Sequence, residues 1–312
     1  MANRIDKENE IDKMFPISHR AEKSLDLQVN NVAKANLRIG ESKQAAYNRI
    51  KDANDGKITP HDKGQNTGFH SWETYHKYKS GFQTFAHYCR CEYGVKHIED
   101  IKPSMAVSFA KELGDLGYAK NTVNSFCSAI EKFGSFLKID FHSEIKEYKK
   151  SEDYKGLEAK DTNTRAYDSP QKIIDAIGNE KAQMAAQLSL NYGLRLSDAC
   201  HFKIDGDKMY YNSKNGMKTT KVLSPADAAT VSRYTDEKGK FNLPVSTMKS
   251  EWGKACESAK VENTGFHGLR HNFAQGLYGE LRGRGLNHKE ACLVTSHEMN
   301  HSRAEITERY LR

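Results

Sequence analysis

The chain has 312 residues, 29% of them charged, and carries a formal net charge of +7. That length accommodates two domains with separate cores, and the basic excess suits a polyanionic partner held in a salt-dependent way. No window approaches the roughly 18 consecutive apolar residues of a membrane span, and residues 1–24 lack the apolar stretch of a signal peptide, so a membrane partner is excluded and a cytoplasmic protein, nucleoid-associated in a bacterium, is expected.

Residues 1–67 are polar and read as an N-terminal extension, an arm or a lead-in helix, with helical character near Leu25–Ala53 ending at Asn54-Asp55-Gly56. From Ser71 the residues Trp72, Tyr75, Tyr78, Phe82, Phe85 and Tyr88 recur every three or four positions, which predicts a helix with one aromatic face turned into a core. Two more helices are predicted, from Pro103 to Leu116 with proline at the start, and from Asn121 to Leu137. Together they give a helical domain over 68–140. Its opposite, lysine-bearing side supplies the candidate DNA contacts Lys77, Lys79, Lys120 and Lys132.

Between Asp140 and Tyr167 the composition turns charged and aperiodic, so residues 141–167 read as a linker and 168–312 as a second domain. Helices are expected near Gln171–Ile177 and Lys181–Tyr192. Met209–Tyr211 and Thr220–Leu223 then read as a β-hairpin with Asn215-Gly216 at its turn. Helices resume after Pro225, and Gly279–Gly285 reads as an inserted loop. The six cysteines, Cys89, Cys91, Cys127, Cys200, Cys256 and Cys292, form no C-x-x-C pair and are expected to be reduced and packed.

Three segments of the second half carry chemistry. Gly193-Leu194-Arg195-Leu196-Ser197-Asp198 holds one arginine, and His267-Gly268-Leu269-Arg270-His271 holds a second flanked by histidines. His301 precedes Tyr310 by nine residues, and a tyrosine so near the end of the sequence is not expected in a core. A phosphodiester gains negative charge as a nucleophile adds, so a metal-free site needs fixed cationic donors. Arginine stays charged and donates to two oxygens at once. A tyrosine hydroxyl is a poor nucleophile until a base or a positive field favours its phenolate.

This order of residues resembles the tyrosine recombinases, or phage integrases, whose motifs are G-L-R-x-S-[ED], H-x-L-R-H and G-H-S followed by the nucleophilic tyrosine. The resemblance covers roughly Ser71–Arg312. It implies a mainly α protein with a small β-sheet, built from a helical, SAM-like core-binding domain and a mixed α/β catalytic domain, closing round a duplex as a clamp. It makes Arg195 and Arg270 the phosphate clamp, His267 a general acid or base, His301 a phosphate or tyrosine partner, and Tyr310 the nucleophile that forms a 3′-phosphotyrosyl link. The hairpin lysine that protonates the leaving 5′-oxygen matches Lys214, with Lys218 the neighbour open to confusion. Asp198 orients an arginine or histidine. No cofactor or metal is needed, because one phosphodiester is exchanged for another. The implied partners are double-stranded DNA with specific recombination sites, a homotetramer on that DNA, and in some relatives an accessory DNA-bending protein. The implied work is integration, excision or resolution of a mobile element through a Holliday junction.

Two departures stand out. Asn300 replaces the motif glycine, and only Leu311 and Arg312 follow Tyr310 where several relatives carry a helix that docks on a neighbour. Three other readings compete. His297-Glu298-Met299-Asn300-His301 fits H-E-x-x-H, the zinc-protease pattern that needs both histidines on one helix face. A type IB topoisomerase uses the same chemistry without exchanging strands, and a DNA-binding regulator would keep the fold without cleavage.

Overall fold

The computed structural model describes residues 19–57, 59–65, 67–159, 165–213, 217–301 and 303–311. The chain divides into two compact units, residues 1–160 and 161–312.

The first unit is helical. Its longest helix, Trp72–Tyr93, starts where Ser71 Oγ accepts from the Thr74 amide at 3.3 Å and stops at Gly94, whose φ of 68° suits a residue without a Cβ. Tyr75, Phe82, Phe85 and Tyr88 are buried as their spacing predicts, and the Phe82 ring stacks on Phe133 of the helix Lys120–Leu137 at 4.3 Å. Trp72 departs from the stripe: it is 55% exposed and lies against His76, because the helix has only begun there.

The expected extension is in part core. A helix over His19–Ala35 buries Leu25, Val29 and Ala33, spaced four apart, in the same cluster as Phe82 and Phe85. Asp26 Oδ1 fixes it further, accepting from Gln83 Nε2 and meeting His87 Nε2, both at 3.0 Å. The single helix expected over 25–53 is broken at residues 36–42, and a second helix runs Lys43–Ala53.

The segment expected as a linker is also largely folded. Phe141–Tyr148 and Glu152–Lys155 are helices, and Phe141, Ile145, Tyr148 and Tyr154 enter the core of this unit. Four apolar side chains spaced four, three and six apart were hidden among lysines and glutamates. Lys132 needs a similar correction. It is buried, and its ammonium donates to the carbonyls of Gly64, Gln65 and Thr67, so its donors are committed to the chain itself.

The second unit combines helices with a four-stranded antiparallel sheet in the order β3-β2-β1-β4. The strands are β1 (His201–Asp205), β2 (Lys208–Ser213), β3 (Met217–Val222) and β4 (Lys240–Asn242). The expected hairpin is β2–β3, with Tyr211 opposite Thr219, while its turn at Asn215-Gly216 lies outside the described residues. β1 and β4 alternate buried and exposed positions, and Phe202 stacks on Phe241 across them at 4.5 Å. Behind the sheet, Ile173, Leu188, Trp252 and Leu269 share one core cluster.

The helix Gly268–Gly283 runs through most of the segment expected as an inserted loop. Buried Leu281 anchors its last turn, which outweighs the low helix propensity of Gly279 and Gly283. All six cysteines are free thiols, and all but Cys91 are buried. No helix among the described residues is long and apolar enough to cross a membrane.

Candidate active site

Arg195, His267, Arg270, His301 and Tyr310 come together in the second unit, each delivered by a different local device. Gly193 ends the helix Glu180–Tyr192 at a φ of 66°, and a Cβ there would overlap the Phe273 ring. The chain turns sharply at that glycine and presents Arg195 at the N-cap of the helix Leu196–Cys200. Gly268, in the second motif, faces the Tyr167 ring and the Arg165 carbonyl so closely that a Cβ would collide with both.

Arg195 Nη1 donates to Ser213 Oγ at 2.6 Å and lies 3.7 Å from Asp198 Oδ2. Asp198 is 2% exposed, and Ser213 Oγ also reaches its Oδ2 at 3.5 Å. Asp198 therefore pairs with Arg195, and Ser213 is the intermediary that sequence reasoning missed.

Arg270 is 1% exposed and is held from three sides. Nη1 donates to the Gly193 carbonyl, while Nη2 donates to the Met299 carbonyl and meets His301 Nε2 at 3.1 Å. Its buried Nε–H has no hydrogen-bond partner among the described residues.

Tyr310 is 7% exposed, contrary to the expectation for a tyrosine so late in the sequence. Its ring packs with Ala274 and Met299 and lies 4.5 Å from the His271 ring, while its hydroxyl meets His301 Nε2 at 3.3 Å and His267 Nε2 at 3.4 Å. The ring is sequestered and the reactive oxygen is held among histidines. Because the Arg270 guanidinium only donates, His301 Nε2 is a lone-pair nitrogen in this arrangement. Its lone pair is already engaged, which leaves His267 Nε2 as the acceptor for the tyrosine proton.

Burial, reinforced by Arg270 and Arg195, pulls His267 and His301 down to about 4, and burial together with Arg165 does the same to His271. All three are neutral at neutral pH and able to accept a proton. Folding stability follows from the same shifts. Below 6.5 the unfolded chain takes up protons that the folded histidines refuse, so the stabilisation is complete above 6.5 and is lost as pH falls toward about 4. Thermal unfolding across that window is expected to show a falling midpoint, with a shallower fall in His271→Asn. An identical slope in the variant would contradict this assignment.

Asn300 has a φ of 54°, a left-handed conformation after the helix His288–Glu298. This accounts for glycine in the motif and for asparagine here, the residue that best tolerates such a backbone after glycine. The same break separates His297, at the end of the helix, from His301 beyond it, so H-E-x-x-H does not lie on one helix face. Glu298 is instead paired with Lys221 Nζ at 2.5 Å. Among the described residues no cluster of three or more His, Cys, Asp or Glu side chains could hold a metal ion.

Lys214 lies outside the described residues. Lys77, Lys79 and Lys120 belong to the first unit: Lys77 is exposed, Lys79 lies over the Tyr75 ring, and Lys120 donates to the Lys155 carbonyl at 3.0 Å.

No protein-family model matches the chain, and no curated protein matches it in sequence. Solved structures do match. A lambda integrase dimer bound to a COC′ core site is 14% identical with a TM-score of 0.53, covering 86% of this chain and 95% of that one. A lambda integrase tetramer bound to a Holliday junction is 15% identical with a TM-score of 0.52, covering 100% and 87%. The Tn1549 transposon integrase in complex with transposon right-end DNA is 14% identical with a TM-score of 0.51, covering 87% and 94%. These three solved structures are of tyrosine recombinases. A helical first unit, a second unit with a small antiparallel sheet, and this structural likeness together establish that the chain has the tyrosine recombinase fold.

Proposed function

We propose that this protein is a site-specific DNA recombinase that cuts and rejoins strands through a 3′-phosphotyrosyl intermediate. The observation that carries the reading is the placement of the Tyr310 hydroxyl between His301 and His267 beside the buried Arg270. Arg195 and Arg270 hold the non-bridging oxygens of the scissile phosphate and stabilise the charge that develops there. His267 Nε2 takes the Tyr310 proton as the tyrosine oxygen bonds to phosphorus. The bond from phosphorus to the 5′-oxygen breaks, Lys214 gives a proton to that oxygen, and His301 helps position Tyr310. An incoming 5′-hydroxyl reverses the steps on a new strand. No cofactor or metal enters, since each bond broken is matched by one of the same kind formed.

Duplex DNA with specific sites is the partner, and Lys77, Lys79 and Lys120 contribute to holding it. The lambda integrase tetramer was solved on a Holliday junction, and we carry the same four-protomer assembly to this chain, because each protomer cuts one strand. Integration, excision or resolution of a mobile element is the corresponding role, with an accessory DNA-bending protein as an optional partner.

The test is a supercoiled plasmid carrying two copies of the sequence flanking the gene for this protein, incubated in EDTA. Recombinant circles are expected. Relaxation without exchange would assign a type IB topoisomerase instead, and binding without either would assign a regulator.

A further inference from the structure

The active-site groups of the second unit hang on one strand. Successive side chains of a strand alternate faces, so Tyr211 and Ser213 of β2 project to the same side, and both are buried. Ser213 holds Arg195. Tyr211, one step along, receives a hydrogen bond at 2.9 Å from Nδ2 of Asn300. Asn300 sits between Met299, whose carbonyl accepts from Arg270, and His301, whose imidazole meets both Arg270 and Tyr310.

Asn300 is the position where backbone geometry alone would favour glycine. Its side chain adds nothing that the left-handed turn requires, yet it is spent on a bond to β2. We propose that Asn300 and Tyr211 form a positioning pair that fixes the turn bearing His301 against the strand bearing the Arg195 anchor, setting the span between the two halves of the phosphate site. The pair is not what keeps the turn folded. Lys221 of β3 binds the Glu298 carbonyl at 2.6 Å and its carboxylate at 2.5 Å, and the His301 amide donates to the Ser296 carbonyl at 2.9 Å. Losing the pair should therefore loosen the register of the site without unfolding it. This inference rests on the recombinase reading, because the span matters only if a phosphate is gripped from both sides.

The experiment uses the full chain and single-turnover adduct formation on a nicked duplex taken from the sequence flanking its gene, with Tyr211→Phe, Asn300→Gly and the double variant. Each single variant is expected to lower the rate at saturating DNA about tenfold, since small misplacements at a reacting centre are costly. The DNA concentration for half-saturation should stay unchanged, and the double variant should be no slower than the slower single. Wild-type rates in both single variants, losses that multiply in the double, or a defect confined to DNA affinity would overturn the proposal. If the wild type forms no adduct, the recombinase reading itself fails and takes this inference with it.

Discussion

Replacing Tyr310 with phenylalanine is expected to abolish the covalent protein–DNA adduct, a loss of about 10⁴-fold or more in cleavage, comparable to deleting the nucleophile of other covalent enzymes. DNA binding should persist, because the cationic groups remain. The fold should persist too. The ring of Tyr310 packs against Ala274, Met299 and the His271 ring, and phenylalanine keeps those contacts. What disappears is one long hydrogen bond to His267 at 3.4 Å and a polar contact with His301 at 3.3 Å, together worth at most about 1 kcal/mol. A gel-shift titration beside a denaturing-gel assay for adduct separates the two effects. An adduct that survives the substitution would move the nucleophile elsewhere.

Arg270 should show the second large effect, and it should split into two measurable parts. Arg270→Ala removes a guanidinium that is 1% exposed and strips the partner from the carbonyls of Gly193 and Met299. Each carbonyl left unpaired in the interior costs about 1–3 kcal/mol, so this variant should melt well below the wild type. Arg270→Lys keeps the charge and one donor direction but loses the planar fork that reaches Gly193 and Met299 and that, in the proposed mechanism, also grips a phosphate oxygen. It should remain folded while cleaving about 10²–10³-fold more slowly, the usual scale for losing a preorganised donor to a developing oxyanion. Single-turnover cleavage and thermal unfolding of both variants decide the matter. Wild-type cleavage by Arg270→Lys would mean that the residue braces the motif turns and does not act on phosphate.

Much of the site was legible because its residues sit in short motifs where spacing and identity survive the loss of overall similarity. Gly193 and Gly268 mark places where the backbone passes another group too closely for a Cβ, and Asn300 marks a left-handed turn. Those constraints are local, and local constraints are readable. The hairpin was readable for the same reason, through strand alternation on each side of Asn215-Gly216.

The remainder depends on partners far away in sequence. Ser213 and Tyr211 look like ordinary strand residues until the fold brings Arg195 and Asn300 to them, 18 and 89 positions distant. Lys132 resembles any surface lysine until the end of the helix Pro60–Gln65 arrives with carbonyls 65 to 68 positions away. The segment 141–155 looked like a linker because its four buried side chains are diluted by charge, which hides a helix that covers a core only at one edge. The place of Tyr310 near the end of the sequence argues against a core position, whereas the motif histidines and Met299 build a pocket around its ring.

The measurement that bears most directly on the account is identification of the DNA-linked residue. The protein is incubated in EDTA with nicked duplexes from the sequence flanking its gene, the adduct is digested, and the nucleotide-bearing peptide is sequenced by mass spectrometry. The account predicts a 3′-phosphate ester on Tyr310, formed without metal. An ester on another residue, or an adduct that appears only when zinc is supplied, would contradict it.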